Sequence, residues 1–300
     1  MADARSMDPG VDSPRGVSRW LTGLLVLGLV SAWLVLYSVS ILGSIWRFRE
    51  PGAPPPVLTT HDQVIDLVVL AVQLVVGAAA LWVVIAVRGR SLTAVLPERS
   101  GSAMDAAVAW CAAIAVASAV VLVLDRTGVM RFEFSTPATV ESPWLAVLAA
   151  LSAGLREEPL LAALPLVLLV GRIPIGWIMV LAGAMRGLIC LYFGMGGFLW
   201  AFVWGAAAVW VYYRFRRLWV LILVHGMVMN IQALDRVLVH DSMATLLQWV
   251  NILVLFGALM WWLVPRALDS MIPGASRSGT AIPVLETDVS RLTPVDNDRY

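Results

Sequence analysis

The stretch from Pro143 to Val170, PWLAVLAALSAGLREEPLLAALPLVLLV, places Arg156, Glu157 and Glu158 in the middle of an apolar run long enough to span a bilayer. Neither 143–154 nor 160–170 carries a charge, so the triplet falls near the centre of the span. Insertion scales assign roughly 2.5 to 3.5 kcal/mol to each charge at a helix centre, so three bare ones would cost about 8 to 10 kcal/mol. Other helices must therefore bring partners, or the triplet must face a polar cavity. Pro159 has no backbone N–H and is expected to kink this helix, freeing a carbonyl beside the charges.

The rest of the chain agrees with a lipid setting. Of its 300 residues, 60% are apolar and only 14% charged, and the mean hydropathy is +0.85. Soluble domains carry about a quarter charged residues, so an all-α polytopic membrane protein is the expected class. A net charge of +1 and the absence of any basic patch interleaved with aromatics argue against a nucleic-acid partner. All 21 basic residues are arginine, which fits a GC-rich genome and excludes lysine chemistry. Cys111 and Cys190 each lie inside an apolar run, so neither a disulfide framework nor a cysteine-rich metal site is expected, and no cofactor is called for.

Apolar spans are predicted at roughly 20–46, 64–87, 104–124, 143–170, 174–193, 197–213, 218–238 and 245–264, each near the 20 residues that a 30 Å core requires. Residues 1–19 and 266–300 read as disordered tails, 20–124 as an N-terminal group of three helices, 143–238 as a core of four and 245–264 as the eighth. An even number of spans puts both termini on one side, and 14 arginines outside the spans fall on that side against 5 on the other, counting Arg236 near the end of the seventh span. The positive-inside rule makes the termini cytoplasmic in a plasma-membrane, multi-pass chain, with Arg214, Arg216 and Arg217 as the sharpest anchor. The loops 47–63 and 125–142 then lie outside, where either one is placed to cover an opening.

Beyond the triplet, the mid-membrane inventory is Arg186 and Cys190 on the fifth helix and His225 and Asn230 on the seventh. Two glutamates and two arginines balance, so Arg186 is expected to pair with Glu157 or Glu158 across a helix interface. Adjacent glutamates diverge by about 100° on a helix, and only one can point at a given partner. Arg186 and Cys190, four apart, share a face, whereas His225 and Asn230, five apart, are about 140° out of line. Each group also has a purely structural reading: an ion pair, an interhelical hydrogen bond for His225, a small apolar filler for Cys190. Asp66 and Asp105, near span starts, are accounted for by the helix dipole.

Taken in order, a Glu-Glu pair, a motif helix about 33 residues later and a histidine about 35 residues beyond that resemble the CPBP intramembrane protease family, over roughly 143–232. That family includes the type II CAAX prenyl endopeptidases and the bacteriocin-processing and immunity proteins. Its first motif, E-E-x-x-x-R, is matched here by E-E-P-L-L-A, with Ala162 at the arginine position. Its second, ending in histidine, is matched by R-G-L-I-C, with Arg186 kept and Cys190 in place of histidine. Its third, H-x-x-x-N or H-x-x-x-D, is matched by H-G-M-V-M, with His225 kept, Met229 at the fourth following position and Asn230 one residue late.

The resemblance implies glutamate-dependent peptide hydrolysis on a membrane-embedded or lipidated peptide or protein, with membrane lipid the other partner. It implies Glu157 as the base that activates water, Glu158 as its partner and His225 as a hydrogen-bond donor, with Arg156, Arg186, Cys190 and Asn230 in support. A working site predicts that Glu157, Arg186, Cys190 and His225 line one cavity. Three readings stay open at this point. They are an endopeptidase with a weakened site (including a variant in which Cys190 is the nucleophile and His225 its base), a non-catalytic relative that binds or escorts a membrane partner, and a transporter lined by the same charges.

Overall fold

The computed structural model describes residues 19–50, 54, 57–130, 139–237 and 241–271. Those expected to form the disordered tails lie largely outside that set, at 1–18 and 272–300. By compactness the chain divides into 1–262 and 263–300. Of the second unit only 263–271 is described, and it is helical.

The chain is all-α and polytopic. Its helices are α1 (Arg19–Leu36), α2 (Ser38–Arg49), α3 (Thr60–Val95), α4 (Ala103–Arg126), α5 (Pro143–Glu157), α6 (Leu164–Leu169), α7 (Ile175–Cys190), α8 (Gly194–Phe215), α9 (Leu218–Val237) and α10 (Asp241–Met271). A parallel contact of two residues each joins β1 (Val57–Leu58) to β2 (Thr139–Val140). Among the described residues, α1, α3, α4 and the 41-residue stretch Ile175–Phe215 are long and apolar enough to cross a membrane. Trp20, Val35, Trp82, Val87, Trp144, Leu253 and Trp261 all point outward. Such an apolar exterior is what a lipid-facing surface requires, because helices satisfy their own backbone groups in hydrocarbon.

Four expected spans differ in detail. The first breaks at Tyr37 into α1 and α2, and Gln73 Nε2 on α3 donates to the carbonyl of Leu36 at 2.6 Å, serving the backbone group that the break exposes. The second is longer at both ends than 64–87, because Thr59 and Asp62 form a capping box that starts α3 at Thr60. Ser102 and Asp105 start α4 in the same way. The fourth is interrupted by a π-helical turn, Glu158–Ala163, between α5 and α6. The last helix runs to Met271, beyond the start of the tail expected from residue 266.

Glycines set the crossings that assemble the centre of the molecule. A Cβ on Gly154 of α5 would collide with the carbonyl of Ile222 on α9, and one on Gly226 of α9 would lie 2.5 Å from the carbonyl of Leu151 on α5. Only glycine lets these two backbones meet, and the crossing lies beside His225 on one helix and one turn before Glu158 on the other. The stretch Ile175–Phe215 folds back on itself through a short 3₁₀ turn, Leu191–Phe193, closed by Gly194 at φ +80°. Gly183, Gly187 and Gly205 line the seam of the resulting α7–α8 hairpin, against Phe202, Phe198 and Arg186.

The far end of the interrupted helix is also held. Gly171, at φ +77°, turns the chain after α6. Arg88 of α3 donates from Nη1 to the carbonyls of Val167 (2.5 Å) and Leu168 (3.0 Å) and from Nη2 to that of Val170 (2.9 Å). A cation at a helix C-terminus satisfies orphan carbonyls and opposes the helix dipole.

Candidate active site

Local backbone chemistry explains the π-helical turn. Pro159 cannot donate to the carbonyl four residues back, so the α-helical ladder fails there. Leu164 N–H bonds instead to the carbonyl of Pro159, five residues back. In that register the donor for Leu160 would be residue 165, which is also proline. The indole Nε1 of Trp33 on α1 takes its place, donating to Leu160 O at 2.9 Å. One turn earlier, the hydroxyl of Tyr37 donates to Arg156 O at 3.1 Å.

The two adjacent glutamates leave this turn in different directions. Glu158 is fully buried, and its Oε1 accepts from Arg186 Nη2 at 2.9 Å and lies 2.7 Å from His225 Nδ1. An ionised carboxylate only accepts, so Nδ1 carries the hydrogen in that contact. Trp204 of α8 closes the group, with its ring 4.6 Å from that of His225 and the Arg186 guanidinium 5.2 Å over its face. The imidazole is thus oriented by Glu158, a partner that spacing along the sequence does not reveal.

Glu157 keeps 13% of its side chain exposed and lies at the end of a cavity of about 680 Å³ with Arg156 and Met229. Its Oε1 is 3.4 Å from Arg156 Nη2, and its Oε2 is 3.6 Å from Arg186 Nη2. Arg156 also reaches Asp66 Oδ1 of α3 at 3.5 Å. Asp66 therefore lies in the second turn of α3 as an ion-pair partner, not in the first turn as a dipole charge, because the capping box moves the helix start to Thr60. The charges thus form a chain from Asp66 through Arg156, Glu157 and Arg186 to Glu158, which offsets much of the burial cost set by the triplet.

The cavity runs along α5 past Ala153, Ala150, Ala149 and Ala146 to Leu58 and Val140 of the β1–β2 contact. Gln63 joins the helices at that mouth, its amide donating to Ser142 O and accepting from Ser142 N–H, both at 2.9 Å. Arg186 and His225, each about 1% exposed, lie behind the glutamates and do not line the cavity. The expectation of one cavity lined by Glu157, Arg186, Cys190 and His225 is corrected accordingly. Neighbouring residues on a helix diverge, so one glutamate faces the opening while the other faces the charged cluster.

The remaining positions are placed as follows. Cys190 is a partly buried free thiol at the last turn of α7. Ala162 is buried in the π-helical turn. Asn230 is partly buried, with Oδ1 lacking a hydrogen-bond partner. Among the described residues, no three His, Cys, Asp or Glu side chains gather where they could hold a metal ion. Trp33, Tyr37, Asp66 and Trp204 escape a reading based on mid-span charges. The sequence signal for the first two is their four-residue spacing within the first apolar span.

An ion-paired glutamate doublet, an arginine and a histidine from three helices gather beside a cavity. Residues 139–231 match the model of the family described as Rce1-like, type II CAAX prenyl endopeptidase Rce1-like. The match covers just under a third of the chain, includes Glu157, Glu158, Arg186 and His225, and supports the CPBP resemblance that the motifs carry. At family level this points to a CAAX-protease-like membrane endopeptidase. Neither the curated proteins nor the solved structures hold a match to the chain.

Proposed function

We propose that the chain is an intramembrane endopeptidase in which Glu157 is the water-activating base, working more slowly than a relative with the full motif set. The carrying observation is that Glu157, and not Glu158, reaches the cavity. Glu157 takes a proton from water as the oxygen adds to the scissile carbonyl, then returns that proton to the leaving amine nitrogen as the C–N bond breaks. Glu158 holds Arg186 and His225 in place behind it. The rate is limited by missing donors, since Met229 borders the cavity where the family motif has Asn or Asp, and one lost oxyanion donor costs about 10² to 10³ in rate.

Substrates are membrane-embedded or lipidated peptides reaching the cavity from the β1–β2 end. With both termini cytoplasmic, as the arginine distribution favours, that end faces outward across the plasma membrane. The test is cleavage of lipidated and transmembrane peptides in liposomes by wild type, Glu157→Gln and Cys190→Ser. Product from wild type and Cys190→Ser with loss in Glu157→Gln supports the reading, whereas equal product from wild type and Glu157→Gln defeats it. A second reading, a non-catalytic relative that binds a membrane partner, is favoured by Ala162, Cys190 and Met229 at three motif positions. It predicts no product from any variant together with retention of a bound peptide.

A further inference from the structure

We infer that Trp33 of α1 and Tyr37 at the break between α1 and α2, both outside the family-matched segment, are positioning residues that fix the directions of Glu157 and Glu158. This rests on the site reading above, though not on turnover. The two side chains are four residues apart and almost fully buried, at 1% and 2% exposure, although each carries a polar hydrogen. A buried indole N–H or phenol needs an acceptor, and backbone carbonyls on either side of Pro159 supply them. Pro165 leaves Leu160 O without a backbone donor in the π register, and Trp33 serves it. Tyr37 serves Arg156 O on the other side of Pro159.

The two acceptors bracket the segment Glu157–Glu158–Pro159. Fixing the carbonyls of residues 156 and 160 fixes the peptide planes between them, and with those the Cα–Cβ directions of both glutamates. Tyr37 is itself held in place, since Gln73 bonds Leu36 O at the helix break and Tyr37 N–H bonds Trp33 O at 2.9 Å. Packing alone needs no polar atom at either position. What separates positioning from core filling is that both donors reach carbonyls flanking the glutamates, one of which, Leu160 O, has a proline where its π-register donor would be.

The chain contains three histidines, so ring-¹⁵N-labelled histidine in the full-length protein in nanodiscs gives few resonances, and the His225 signal is the one lost in His225→Gln. Tyr37→Phe and Trp33→Phe each remove one donor and keep most of the bulk. Leu29→Ala removes buried volume one turn earlier on the same face of α1 and serves as the stability control. Both donor variants are expected to shift the His225 Nδ1 resonance, which reports the Glu158 contact, and to lower kcat about tenfold with KM within about twofold, within reach of one lost hydrogen bond. Leu29→Ala is expected to lower the melting temperature and leave that resonance in place. An unmoved His225 resonance in both donor variants, or an equal shift in Leu29→Ala, overturns the inference. Absence of cleavage by wild type would instead defeat the endopeptidase reading, and the resonance alone would then decide this one.

Discussion

Glu157 and Glu158 are consecutive residues with opposite surroundings: the carboxylate of Glu158 is sealed against Arg186 and His225, and that of Glu157 borders the cavity with Arg156. Most of the expected behaviour of the molecule under mutation follows from that division.

Glu158→Gln should act mainly on stability. It removes the charge that compensates buried Arg186, and breaking a buried pair by altering one partner costs about 3 to 5 kcal/mol. Glu157→Gln should cost about 1 kcal/mol or less, because its contacts are longer and partly solvated, and should act on turnover. Denaturant unfolding in mixed micelles separates the two, and equal destabilisation would contradict the burial difference.

Arg186→Met should be destabilising alone and much less so combined with Glu158→Met, since replacing both members of a buried pair by apolar groups is often close to neutral. A double-mutant cycle in the same assay is expected to return a coupling of about 1 to 3 kcal/mol. Additive single effects would mean that the 2.9 Å contact contributes little.

Gly226→Ala should force α9 away from Leu151, with overpacking costing about 1 to 3 kcal/mol. Because His225 is the preceding residue, turnover should fall further than stability alone predicts. Gly23→Ala, which meets open space, is the matched control. Equal melting temperatures for the two variants would sink the close-crossing account.

At the cavity mouth, outside the membrane spans, the backbone N–H and the side chain of Thr60 hydrogen-bond Glu141 and hold its carboxyl below its ordinary value of 4.5. A depressed folded-state pKa means that this stabilisation is present above the unfolded value and is lost as pH falls through the folded one. Hydrogen-exchange protection of the Thr60 amide should therefore be level above about pH 4.5 and decline below it. In Glu141→Gln the protection should be lower and flat with pH; a wild-type-like acid decline there would assign the titration to another group.

Much of the architecture was legible from composition, because hydrocarbon requires long apolar helices and permits few charges. Those few charges, at 157, 158, 186 and 225, are brought together by the fold. Three things were not legible for physical reasons. The break at Tyr37 lies within an apolar run, and hydropathy does not register a backbone interruption served by Gln73 from another helix. Asp66 reads from sequence as a first-turn dipole charge because hydropathy starts the span at 64, four residues after the capping box starts α3. The split between the glutamates depends on the π register, for which Pro159 and Pro165, six residues apart, were the available sign.

Arg88 acquires a wider meaning from its distance to the site. A π-helical turn is one inserted residue, and along an unconstrained helix the insertion can migrate, each step rotating the residues it passes by about 100°. Such a slip would exchange the headings of Glu157 and Glu158. With Arg88 gripping the carbonyls of Val167, Leu168 and Val170 at one end and Trp33 and Tyr37 donating to Leu160 and Arg156 at the other, the insertion is trapped between fixed points. The three bonds of an arginine at the membrane boundary thus help determine which of two chemically identical neighbours faces the cavity.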